Sequence, residues 1–169
     1  MALPQKLKNF NLFNDGQNYL GKVTEITLPK LTAKMEEYRA GGMDAPIDVD
    51  LGMEKLSMEW TIGGFEAQVL KQFGTLSHNG VGLRFAGALQ SEDLETVNAI
   101  EVTVRGRHSE IDFGTAKPGD DTAKKVTTSI SYYKLVMDGE TLVEIDIPNM
   151  VKNISGKDLL TDVRMALGL

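Results

Sequence analysis

The sequence predicts a mainly β protein, a sandwich or barrel with one short internal helix and a C-terminal helix. Alternation of apolar and polar residues at period two recurs through most of the chain. Glycine- and proline-bearing turns punctuate it, and only two windows carry apolar residues at helical spacing. A chain of 169 residues without a linker-like segment or an internal repeat fits one domain, residues 1–169.

Gly21 to Leu28 reads as a first strand, closed by Pro29. Leu31 to Arg39 is ambiguous, because Lys34, Glu36, Glu37 and Arg39 favour helix while the apolar spacing does not. Ile47, Val49 and Leu51 are apolar at odd positions, whereas Leu56, Met58, Trp60 and Ile62 are apolar at even ones. That switch of parity across Gly52 to Lys55 predicts a bulge, a kink or a change of sheet. Phe65 to Phe73 reads as a short helix with Phe65, Val69, Leu70 and Phe73 on one face and Gly74 as its stop.

Leu83, Phe85, Gly87 and Leu89 alternate as the next strand, and Ile100, Val102 and Val104 as another. Asp112 to Lys124 reads as a polar loop around Lys117-Pro118-Gly119. The clearest hairpin joins Val126–Met137 to Thr141–Ile147 through Asp138-Gly139, a strong tight-turn dipeptide. Val143, Ile145 and Ile147 share one face of its second strand. Ser155 to Leu167 reads as the terminal helix, with Ser155 and Asp158 as a capping box, Leu159, Val163 and Leu167 as its stripe, and Gly168 as its stop. Met58, Trp60, Phe85, Tyr133 and Leu135 are expected in the core, with Tyr132 on the opposite face.

The segment at about 37–54 stands apart. Arg39, Gly41, Gly42, Met43, Asp44, Pro46, Asp48, Asp50 and Met53 surround a short strand pattern with breakers on both sides. A half-apolar ribbon of this kind is costly to leave uncovered, so it is expected to be an arm that meets another copy of the chain.

Composition excludes several classes. A net charge of −6 is unsuited to gripping nucleic acid, which requires clustered lysine and arginine. With no cysteine there is neither a disulfide nor a thiolate metal site. No apolar run approaches the ~20 residues of a membrane span, so no stable membrane insertion by the monomer is expected. Asp48, Asp50 and Glu59 have calcium-loop spacing, but Met53 occupies the position that needs glycine, and alternation separates the side chains. His78 and His108 lack partners for a metal site or a catalytic triad. Arg105, Arg107 and His108 read as an anion site or, more simply, as ion pairs at a strand end. No catalytic residue, metal or cofactor is expected.

Taken in order, several segments resemble the major tail tube proteins of contractile-tailed phages, a family shared with R-type contractile bacteriocins. They are Asn11-Leu12-Phe13, Asp15-Gly16, Leu28 to Leu31, Tyr38 to Pro46, Asp50 to Glu54, Arg105-Gly106-Arg107, Lys117-Pro118-Gly119, Ser131 to Leu135, Glu144-Ile145-Asp146 and the Leu-Gly-Leu terminus. The resemblance implies a tail-tube fold whose homohexameric rings stack into the inner tube of a virion tail, assembled in the host cytoplasm. It implies as partners a surrounding contractile sheath, a tape-measure protein inside, and baseplate and tail-terminator proteins at the ends. DNA would pass through the lumen without specific binding. Glu59, Glu101, Glu144 and Asp146 are the acidic candidates to line it, where they would repel phosphate. A genome-free bacteriocin tube, a type VI-like secretion ring and a monomeric β-sandwich binding module are the alternatives.

Overall fold

The computed structural model describes all 169 residues, Met1–Leu169. Its strands are β1 (Lys6–Asn14), β2 (Gln17–Asn18), β3 (Val23–Thr27), β4 (Ala33–Tyr38), β5 (Ile47–Met53), β6 (Ser57–Ile62), β7 (Val81–Gln90), β8 (Val97–Asp112), β9 (Lys124–Met137), β10 (Glu140–Asp146), β11 (Val151–Ile154) and β12 (Lys157–Asp158). Two short helices, α1 (Ala67–Gln72) and α2 (Thr161–Ala166), complete it. Ten strands form one antiparallel sheet in the order β12-β11-β10-β9-β8-β7-β1-β2, with β6 beside β9 and β3 beside β6. β4 and β5 stand apart as a two-stranded hairpin.

The long ribbon of β8 and β9 organises the core. Along β9 the inward residues are Val126, Thr128 and Ile130 and then, one residue out of step, Tyr133. The slip is a β-bulge: Arg105 faces Tyr132 while Gly106 faces Ile130, which leaves Ser131 unpaired in the ladder. Before the bulge β9 pairs with β6; beyond it β9 pairs with β10. The sheet therefore divides at Ser131, and both halves turn their apolar faces to one core that includes Leu12, Met58, Trp60, Phe85, Val104 and Tyr133. Leu135 is half-buried against that core.

Asp138 and Gly139 have φ of +49° and +80°, the left-handed pair that the turn between β9 and β10 requires. The parity switch after Leu51 is the change of sheet: β5 belongs to the hairpin and β6 to the main sheet.

Several expectations are corrected. The first strand is Lys6–Asn14, and the segment starting at Gly21 shortens to Val23–Thr27. Leu31–Arg39 resolves into strand β4, because pairing with β5 overrides its helix formers. The polar loop is only 113–123, since Asp112 and Lys124 are strand residues. Helix α1 keeps only Val69 of its expected apolar face inside; Phe65, Leu70 and Phe73 are exposed, and Gln68 and Gln72 turn inward instead. Ile147 lies beyond β10 and is exposed.

The terminal helix also starts later than predicted. Ser155 and Gly156 have φ of +50° and +84° and turn β11 into β12, so Ser155 caps nothing. Asp158 anchors the helix instead, accepting hydrogen bonds from Leu160 N (3.1 Å) and from Arg164 Nη2 (2.6 Å). The Arg164 bond is the main reason that its carboxyl is held at about 2. Leu159, Val163 and Leu167 remain exposed.

Candidate assembly surfaces

The β4–β5 hairpin leaves the body of the molecule at one closure, where Glu54 N donates to Thr32 O at 2.9 Å. At its tip Gly42 takes a φ of +86°, Met43 N donates to Ala40 O, and Arg39 Nε donates to Met43 O at 3.3 Å. Gly41, Asp44 and Pro46 are exposed there.

Cross-strand register sorts the side chains onto two faces. Tyr38 lies opposite Ile47 and Glu36 opposite Val49, so one face is largely apolar, and Tyr38, Ile47, Val49 and Leu51 are 39–56% exposed. Glu37 lies opposite Asp48 and Met35 opposite Asp50, so the other face is acidic. Met53, placed in the arm by sequence, sits at the root and packs against the chain's own core. An isolated two-stranded ribbon is at best marginally stable in water, and this one displays apolar side chains that nothing in the chain covers.

The four acidic lumen candidates do not form one cluster. Glu101, Glu144 and Asp146 lie on the outward side of the sheet, among Arg84, Arg105 and Lys134. Glu101 pairs with Arg84 at 3.3 Å, and Arg84 stacks on Phe13. Glu144 accepts the Tyr132 hydroxyl at 3.0 Å, and Asp146 accepts from Asn149 Nδ2 at 2.7 Å. Burial and the Glu144 bond push the Tyr132 phenol up to about 12, so it stays a neutral donor. Glu59 lies on β6 and pairs with Lys125 at 3.1 Å, far along the ribbon. That outward face is therefore a mosaic of both signs. Asp48 and Asp50 on the hairpin and Glu59 on the body are not brought together, and no three ligating side chains converge as a metal would require.

A buried polar cluster beneath α1 went unread in the sequence. His108 is buried, not part of an anion site or ion pair at a strand end. Trp60 Nε1 donates to Thr128 Oγ1 (3.2 Å), Thr128 Oγ1 lies 2.9 Å from His108 Nδ1, and His108 Nε2 lies 2.9 Å from Gln72 Oε1. One assignment satisfies all three: Thr128 donates to Nδ1, and Nε2–H donates to Gln72. Gln72 Nε2 in turn donates to Asn14 and to Asp15, and Tyr19 donates to Gln68. The cluster pins α1 to β1 and β8. Thr128 is fully buried, so its hydroxyl beside a histidine is a structural bond with no access for a substrate.

Burial holds the His108 imidazole down at about 4, against the weaker pull of Asp15. Its unfolded value is near 6.5, so between pH 6.5 and 4 the unfolded chain binds a proton that the folded chain refuses. Stability is thus expected to fall as pH drops through this window and to level off below it, by up to roughly 3 kcal/mol from this group. Urea unfolding at pH 7, 6 and 5 checks this. A His108→Gln chain should lose most of the slope; an unchanged slope would assign it elsewhere.

The comparisons with known proteins agree with this architecture. The family model described as phage tail tube protein FII matches residues 4–168. The tail tube protein of Escherichia phage P2 is 44% identical, with all of both chains covered. The major tail tube protein of Serratia phage KSP20 is 42% identical over all of this chain and 99% of its own. Among solved structures, a sheath/tube terminator of an extracellular contractile injection system superposes with a TM-score of 0.58 at 10% identity, covering 79% of this chain and 96% of that one. The tube-terminating cap of the anti-feeding prophage gives 0.59 at 10% identity, over 80% and 93%. At such identities these two structures bear on the fold alone.

Proposed function

The chain belongs to the phage tail tube protein FII family, structural proteins of the tail tube and not enzymes, and from that premise we propose that six copies close into a ring and that rings stack into the inner tube of a contractile tail. The observation that carries the reading is the β4–β5 hairpin. It presents Tyr38, Ile47, Val49 and Leu51 to solvent on a ribbon tied to its own chain only at the root. Such a ribbon gains most of its stability from a surface it does not own. Contacts that repeat without closing along an axis must be heterologous, and an arm reaching a different patch on the next copy meets that requirement.

The free edges serve the other direction. The N-terminal half of β1 has no partner on its outer side, and β12, at the far end of the sheet, is two residues long. Pairing of one copy's edge with the next would cover both edges and close a ring. A continuous β wall of this kind suits a conduit that must carry sheath force without buckling.

On this reading a contractile sheath surrounds the tube, a tape-measure protein fills it during assembly, and baseplate and terminator proteins hold its ends. Full-length identity to tail tube proteins of two phages supports a virion tail over a genome-free device. The outward face bearing Glu101, Glu144 and Asp146 is assigned to the bore. Its mixed charges give DNA no continuous basic track, so phosphate slides past without being held. Tubes with Glu101→Gln and Asp146→Asn should retain DNA more, in a salt-sensitive way; unchanged passage would remove these residues from the bore.

Sedimentation of the purified chain over a concentration series tests the assembly itself. A concentration-dependent step from small species to rings and long particles is expected. A single monomer boundary at every concentration and salt would overturn it.

A further inference from the structure

The charges of the hairpin are sorted along its length, and that ordering has no use within one chain. Distally lie Glu36, Glu37, Asp44, Asp48 and Asp50, with Arg39 turned back onto Met43 O. Lys30 and Lys55 lie at the root, and Lys34 lies within β4 beside Met35, the partner of Asp50. Lys30 and Lys55 border an open hollow of about 260 Å³ with Thr27 and Ser57, alongside Glu54 and Glu59. Glu59 is neutralised by Lys125, so the lysines outnumber the one free carboxylate. None of Glu37, Asp48, Asp50, Lys30 and Lys55 takes part in an ion pair.

Glu37 and Asp48 face each other directly across the ladder, an arrangement that destabilises an isolated ribbon. Neither carboxylate forms an ion pair within its own chain. The pairing holds Glu37 four residues beyond the root position Ala33, roughly 13 Å at ~3.3 Å per residue, which exceeds the ~8–10 Å screening length. Glu37 and Asp48 form no ion pair with the lysines at their own root.

We propose that the Glu37–Asp48–Asp50 face of one hairpin seats on the Lys30–Lys55 hollow of a second copy. The inference rests on the tube reading and gives its stacking contact a definite partner surface. Two different patches meet, so the contact propagates head to tail without closing on itself. The apolar face supplies burial, while the charges fix register and speed encounter.

Two variants test it, Glu37→Lys with Asp48→Lys, and Lys30→Glu with Lys55→Glu, assayed beside wild type by sedimentation and negative-stain microscopy. Each should keep its circular dichroism spectrum and fail to assemble alone, because one patch then repels the other. Mixed in equal amounts they should form tubes, since each arm now finds an opposite charge on the other chain. Should a reversal prevent folding, Glu37→Gln with Asp48→Asn replaces it and should raise the concentration needed for assembly about tenfold. Variants that assemble alone like wild type, or a mixture that stays dispersed while wild type assembles, overturn the contact. Failure of wild type to assemble removes the tube reading, and the contact with it.

Discussion

A chain in which residues 33–53 are replaced by an Asn-Gly turn should stay a folded monomer and form no tubes at any concentration. The two ends are already joined, since Glu54 N donates to Thr32 O at 2.9 Å, so a tight turn can close the gap. What the body loses is the packing of half-buried Met53, worth about 1 kcal/mol in a partly exposed position, or about 2–4 °C in Tm. What the assembly loses is larger. Tyr38, Ile47, Val49 and Leu51 go together with the acidic face that registers them. Circular dichroism and sedimentation separate the two effects, and normal tubes from the shortened chain would refute the role given to the arm.

Gly106→Ala should damage the fold itself. A Cβ at this position would lie 1.8 Å from the Ser129 carbonyl oxygen and 2.8 Å from its carbon. Those are backbone atoms of the neighbouring strand, so no rotamer change relieves the overlap; β8 and β9 must part at the bulge where the sheet divides. Ordinary overpacking costs about 1–3 kcal/mol because side chains give way. Here the loss should approach the whole ~5–15 kcal/mol that a domain of this kind has to lose. Gly87→Ala is the control: its Cβ would meet Ile100 Cγ2 and Leu7 Cδ1, side-chain ends that can move. Urea midpoints should place Gly87→Ala within about 3 kcal/mol of wild type, with Gly106→Ala insoluble or molten. A Gly106→Ala chain within about 1 kcal/mol of wild type would show that the bulge is softer than its geometry.

Strands such as β6 and the middle of β8 were located because their inward residues, Met58-Trp60-Ile62 and Val102-Val104, are uniformly apolar. β1 was missed because Asn14, fully buried, occupies an inward position and Lys6 and Lys8 open the strand. A usable signal was present all the same. Asp15-Gly16, with φ of +46° and +84°, makes the same kind of turn as Asp138-Gly139. At the C-terminus the error was one of turn chemistry. Ser155-Gly156 has the look of a helix start, yet its left-handed pair makes a hairpin and passes the capping work to Asp158.

The arm was legible as an anomaly because its breakers and its change of parity are local features. Its charge sorting was not, since which carboxylates share a face depends on the register between β4 and β5. The polar cluster around His108 lay further out of reach. It gathers Asn14, Trp60, Gln72, His108 and Thr128 from five separate elements, and no spacing in the chain announces such a meeting.

Helical reconstruction of tubes grown from the pure chain tests the central claim most directly. Six subunits per ring are predicted, with each β4–β5 hairpin lying against a neighbouring copy and the Glu101–Asp146 face on the bore. Tubes whose hairpins project into solvent without touching another subunit would contradict it.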